Sequence, residues 1–195
     1  VFTRDGDPSN VTVTGAEGGT IQTGEANDTV DITSNASNGG AAEVYTVITD
    51  GGDDVITLAD LVDSSYIVQA GEALDANGNL LLDATDVDSV VIDGSVDLGT
   101  GPLSLSNVEV LDITGTVDNT LTLTASDVLD ASDDTNVLIV KGDSGDVVTS
   151  SDAWTDTGST TTGVDGNTYD VYTFDTGTGI ATLLVDASTV DTSGL

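Results

Sequence analysis

Asp53 and Asp54 stand side by side behind Gly51 and Gly52 in the stretch TDGGDDVITLAD (49–60), and Val55, Ile56 and Leu58 follow at once. Adjacent like charges repel, and glycine loses more freedom on ordering than any other residue. A hard cation would offset both penalties. Calcium takes roughly six to eight oxygens at about 2.3–2.6 Å, and a glycine turn lets carbonyls and carboxylates converge on it. A solvated hairpin turn is the plainer alternative, because Asp and Gly favour turns without any ion.

The same chemistry recurs along the chain. GEANDTVDI (24–32) offers Asp28 and Asp31, and KGDSGDVVTS (141–150) offers Asp143 and Asp146. Glu109 and Asp112 sit in NVEVLD, where strict alternation points them to opposite sides, so a bend is needed to bring both to one ion. Asp127 and Asp130 have helical-turn spacing, with helix N-capping as the alternative for Asp127. Asp134 follows in DASDDTN. Asp75, Asn77 and Asn79 in LDANGNLLLD (74–83) have EF-hand-like spacing, but the glycine and the closing acid are misplaced, which favours an Asn-Gly turn.

Composition narrows the chemistry to hard oxygen ligands. The chain has 195 residues with 35 acidic against 2 basic side chains, a net charge of -33, and neither His, Cys nor Met. Zinc and copper lose their usual ligands, and the usual catalytic triads lose His and Cys. Nucleic acid and anionic membrane are excluded as partners by charge. Paired carboxylates could serve a glycosidase, but acid pairs are too common here to select that reading. The expectation is a binding or structural protein, not an enzyme. Trp154 could stack on a sugar, although a lone Trp in an aliphatic chain suits a core anchor better.

The elements that must position these acids read as strands. NVTVTG, VYTVIT, NTLTLTA and NVLIVKG alternate or run apolar for a strand's length, bounded by Gly, Asp, Asn and Ser. Thr and Val favour strands. The pattern predicts about a dozen short strands in an all-β sandwich, with LADLVDSS and TASDVLDAS as single helical turns and GSTTTGVDGN as a loop or hairpin tip. The Gly-and-acid turns repeat weakly. Their number and separation predict isolated turns set into a sandwich, not a continuous calcium-binding roll. No apolar stretch reaches the roughly 20 residues of a membrane span. VFTRDGDPSN lacks the apolar centre of a signal peptide. The chain opens without Met and stops on DTSGL, so residues 1–195 read as one module cut from a longer chain.

From Leu103 to Asp191 the phrases SNVEVLDITGT, NTLTLTASDVLDAS, NVLIVKGDSGDVV, AWTDTG, VDGNTYDVYTF and ATLLVD follow in order. This series resembles a module of the long RTX adhesins exported by bacterial type I secretion. With the acidic turns upstream, the whole chain resembles their calcium-dependent peptide-binding domain. The resemblance implies a calcium-stabilised β-sandwich holding several calcium ions on an extracellular, cell-surface protein active in adhesion and biofilm. It implies a surface calcium that captures the C-terminal carboxylate of a peptide or protein on a host or partner cell, and neighbouring modules of the same chain on either side. The loops around 50–54 and 63–86 are the expected pocket. A calcium-rigidified spacer and a calcium-dependent carbohydrate-binding module are the competing expectations.

Overall fold

Alternating β-branched residues do form strands here, and most of these pair in parallel. A computed structural model describes residues 7–14, 18–34, 43–58, 61, 64–71, 86–132, 135–163 and 165–195. Strands are numbered in chain order. A nine-stranded sheet runs β1 (Asn10–Thr14), β3 (Thr29–Ser34), β5 (Val55–Leu58), β7 (Ser89–Ile92), β10 (Val110–Asp112), β12 (Val137–Lys141), β16 (Ile180–Asp186), β15 (Thr168–Asp175) and β14 (Thr155–Thr162). It is parallel from β1 to β16, and only β15 and β14 are antiparallel. A second sheet holds β2 (Gly19–Gln22), β4 (Glu43–Ile48), β6 (Ser64–Gln69) and β9 (Leu103–Ser106), and a third holds β8 (Val96–Asp97), β11 (Thr120–Leu123), β13 (Val147–Ser150) and β17 (Asp191–Gly194). Both are parallel throughout.

The chain therefore winds. Up to β12 it leaves the long sheet, crosses to the second or third sheet, and returns one strand further along; after β13 it returns at the edge as β14 and fills back through β15 to β16. This is the order of a solenoid, in which each coil buries its apolar side only by stacking on its neighbours. The Gly-and-acid turns are not isolated insertions, as the sequence suggests, but successive corners of stacked coils. Parallel pairing requires such crossovers, whereas a tight hairpin could only make antiparallel pairs.

Register keeps like residues in line. Val11, Val30, Ile56, Val90, Leu111, Val140 and Val185 form one inward row across the long sheet, all buried. Ile21, Val47, Val68 and Leu105 form the facing row, and Tyr45 stacks on Tyr66 beside it with ring centroids 5.4 Å apart. One apolar core joins residues of all three sheets. The coil from β7 visits all three in turn.

After β11 the chain forms α1 (Ala125–Ala131) instead of another strand of the second sheet. Thr124 caps it in a capping box with Asp127, which satisfies two otherwise orphaned amides. Ala125, Val128 and Ala131 turn inward. This is the second of the two expected helical turns. Most of the first, at 59–60 and 62–63, lies outside the described residues. GSTTT belongs to strand β14, fully exposed, and the hairpin beyond it is closed by the Gly163 N–H donating to the Asn167 carbonyl. Among the described residues no helix is long and apolar enough to cross a membrane.

Candidate metal centre

At the corner where each coil enters the long sheet, one register position carries Ser9, Asp28, Asp54, Asp88 and Glu109 in successive coils. Each sits immediately before its strand. The carboxylate of one coil accepts the backbone N–H of its neighbour. Asp28 Oδ1 accepts from Ser9 (2.5 Å), Asp54 Oδ1 from Asp28 (2.6 Å), Asp88 Oδ1 from Asp54 (2.8 Å), and Glu109 Oε2 from Asp88 (2.9 Å). Asp28, Asp54 and Asp88 are buried. Charge-assisted bonds of this kind hold the coils in register and satisfy corner amides that strand pairing leaves over.

A second line runs on the outer side of the same corner. Asp53 N–H donates to Asn27 Oδ1 (3.2 Å), Val87 N–H to Asp53 Oδ1 (3.0 Å), and Gly52 N–H to Asp86 Oδ2 (2.9 Å). Gly52 has φ +119°, and a Cβ there would lie 2.7 Å from the Ala26 carbonyl carbon. The Gly-Gly turn is thus shaped by close approach of the coil beneath it. Adjacent Asp53 and Asp54 divide their work between the outer and the inner line.

The other corner, before the third sheet, uses Asn119 and Asp146. Asp146 Oδ1 accepts from Asn119 N–H (2.8 Å) and Oδ2 from Asp143 N–H (2.7 Å), both with Asp146 fully buried. Asp143 and Asp146 are therefore brought together, but by a turn hydrogen bond.

The remaining candidates are dispersed. Glu109 reaches the inner ladder, whereas Asp112 binds the Thr114 hydroxyl (2.5 Å) and N–H (2.9 Å) on the outer face, so the two acids serve different contacts. Asp112 is half-buried, not sunk among its apolar neighbours, because the strand's outward side carries it. Asp127 is the third residue of α1 and answers Thr124, so Thr124 and not Asp127 is the cap; Asp130 is exposed. The shared aim expected of Asp127 and Asp130 gives way to separate environments. Asp31 lies on the outer face of the long sheet beside Thr12 and Thr57. Asp134, and Asp75, Asn77 and Asn79, lie outside the described residues. Trp154 is only 8% exposed, donates its indole N–H to Ser150 Oγ (3.0 Å) and packs on Phe174, as a core-edge anchor does.

The inner ladder is electrostatically loaded. Burial pushes the Asp54 carboxyl up to about 7; the Asp28 N–H and the Thr49 hydroxyl oppose the rise, and the Asp28 and Asp86 charges add to it. Burial pushes Asp88 up to about 9, aided by Asp86, Asp54 and Glu109. Lys141 is committed elsewhere, 3.1 Å from Asp165. Burial raises Asp165 as well, but the Tyr169 hydroxyl, the Asn167 N–H and Lys141 outweigh it and hold Asp165 down at about 2.

Among the described residues no three acidic side chains converge closely enough to enclose a metal by themselves. Yet Asp54 Oδ2, Asp88 Oδ2, Thr49 Oγ1 and Asn107 Oδ1 are all buried without a hydrogen-bond partner. These are hard neutral and anionic oxygens, the donor set that fits calcium and not zinc or copper. Asp88, Thr49 and Asn107 escape the sequence reading. The signal for Asp88 is present in VDSVVI, an acid just before an apolar β-branched run, as in NDTVDI and DDVITL. Comparisons with protein-family models, with curated proteins and with solved structures find no match to this chain.

Proposed function

We propose that this chain is a calcium-stabilised β module of a secreted, surface-displayed bacterial adhesin, serving as a rigid link between neighbouring modules of a longer chain. The observation that carries the reading is the corner ladder. Buried carboxylates stacked coil upon coil, in a molecule of net charge -33, repel one another and call for cations that a basic side chain does not supply. Export past the cell's low internal calcium would couple folding to arrival outside, since binding free energy adds to folding free energy. No catalytic step is part of this reading. The test is thermal unfolding of the full chain in calcium and in excess EDTA. The melting temperature should fall substantially on chelation and return with calcium, and magnesium should restore little. An unchanged curve after verified calcium removal sinks the proposal.

A second reading rests on one corner. Coils pass from Thr23 to Asp28 and from Thr49 to Asp54, but the equivalent passage from Ala70 to Asp88 is far longer in sequence, and its residues 72–85 lie outside the described residues. Long inserts in coiled repeats often form the binding face. A calcium there could take the free carboxylate of a peptide C-terminus, which a surface of this charge would otherwise repel. Peptides with free C-termini should bind in calcium, and amidation should weaken them more than about tenfold, roughly 1.4 kcal/mol. Equal retention of both forms removes carboxylate capture; competition by simple sugars points to carbohydrate instead.

A further inference from the structure

We propose that the ladder step between Asp54 and Asp88 is itself a calcium site, with one ion held between two coils by the Oδ2 atoms of both carboxylates and by the Thr49 hydroxyl. This rests on the calcium-dependent reading above and names where one ion sits.

Repetition fixes the geometry. Asp54 and Asp88 use the same atom, Oδ1, for the same contact, the N–H of the preceding coil's ladder residue. They occupy the same register position. Their carboxylates are therefore oriented alike, and their Oδ2 atoms repeat at the coil spacing. That spacing is about 4.7–4.9 Å in the hydrogen-bonding direction of a sheet. Two calcium–oxygen bonds laid end to end span about 4.6–5.2 Å, whereas two magnesium–oxygen bonds span only about 4.0–4.2 Å. A calcium ion bridges the step without moving either coil; magnesium requires the coils to close up.

The neighbouring step differs. Asp28 Oδ2 already accepts the Gly24 N–H at 3.0 Å. Asp54 and Asp88, 0% and 1% exposed, have no such partner for Oδ2. The neutral ligand oxygen comes from Thr49, which is 0% exposed; its hydroxyl faces the Asp54 carboxyl and favours the ionised form, without closing a well-formed hydrogen bond. On the far side of Asp88, in the Glu109 coil, Asn107 holds a left-handed φ of 54°, and its Cβ and Asp88 Oδ2 each lie 3.2 Å from the point where a Gly71 Cβ would stand. A side chain at Gly71 would crowd that corner. Two buried carboxylate oxygens at one step, neither with a well-formed hydrogen bond, are a costly arrangement unless an ion completes it.

The decisive variant is Asp88→Asn in the full chain. The amide oxygen still accepts the Asp54 N–H, so the ladder bond survives, while one buried charge and one anionic ligand are lost. Calorimetric titration of decalcified protein with calcium should show this site lost or weakened at least about tenfold, one decade in Kd. The melting temperatures should cross over: in EDTA the variant melts at or above the parent, because a buried amide is neutral without needing a proton or a cation, and in calcium it melts below. Thr49→Val removes a single ligand oxygen at nearly constant shape. It should weaken the site and lower the melting temperature more in calcium than in EDTA, and it serves if Asp88→Asn fails to fold. Unchanged calcium stoichiometry and affinity in the variants overturns the site while leaving calcium-stabilisation of the module standing. A parent that binds no calcium overturns both. Equal affinity for magnesium overturns the spacing argument and with it the bridging geometry.

Discussion

Gly52 shows how much of this fold turns on single residues at the corners. Its φ of +119° disfavours any side chain, and the backbone of Ala26 and Asn27 lies within 2.7–3.0 Å of the place a Cβ would take. Both residues belong to the adjoining coil, so the glycine measures coil-to-coil approach. Gly166 is the internal comparison: φ +83°, with nothing within 4 Å of its would-be Cβ. Gly166→Ala should lose stability only through backbone strain, about 1–3 kcal/mol. Gly52→Ala should lose that and a steric term besides, because backbone cannot swing aside as a flexible side chain can. Denaturant unfolding of the two variants checks the difference. Equal losses would mean that the corner can relax and that coil spacing is not fixed there. The same corner explains the paired acids beside Gly52. Asp53 faces outward to Val87 N–H, and Asp54 faces inward to Asp28 N–H. Adjacent carboxylates repel least when the backbone sends them to opposite sides.

At the scale of elements, the strands were legible and their neighbours were not. NVTVTG, VYTVIT, NTLTLTA and NVLIVKG contain or abut β1, β4, β11 and β12, because alternation encodes which side of a strand is buried. Alternation does not encode which strand lies alongside. Parallel order follows from a repeat, and here the repeat is blurred by unequal corners: Thr23 to Asp28, Thr49 to Asp54, Ala70 to Asp88, and Asn107 to Glu109 occupy equivalent positions. The acids of the ladder suffered likewise. Asp28, Asp54 and Glu109 stood out through their charge, whereas Asp88 lies beyond a long interruption and Thr49 carries no charge at all. The helix was read correctly from TASDVLDAS, but its role was not. It takes the place of a second-sheet strand, with its inner face packed beside β9, β12 and β16. Propensity could not announce that exchange, since it depends on the coil beneath being complete. β14 was hidden for another reason. Its TDTGSTTT is polar on both faces, and only pairing with β15 extends it.

For the whole molecule, the net charge of -33 and the buried ladder combine into one pH dependence. The ordinary expectation is that a protein loses stability in acid, as paired carboxylates are protonated. Here the sign reverses for the two groups that matter most. Asp54 and Asp88 have folded-state values near 7 and near 9, above the ordinary carboxylate value of 3.8, chiefly because burial penalises their charged forms. A raised folded value means that the native chain holds protons that the unfolded chain has released. Their contribution is therefore fully present below about pH 4 and is lost as pH rises through about 7 and then about 9. Self-repulsion of the surface acids lowers the whole curve without setting its slope. In EDTA, the melting temperature should decline from pH 5 to pH 9. With saturating calcium the decline should flatten, because an ion between the carboxylates replaces the protons they would otherwise need. Differential scanning calorimetry at matched ionic strength, with and without calcium, separates the contributions. Added sodium chloride should lift the EDTA curve at all pH values by screening the exposed acids, but it should not remove the slope, because the ladder lies beyond the reach of screening. A cation-free curve that rises toward pH 9 would show the buried carboxylates ionised and satisfied without proton or metal.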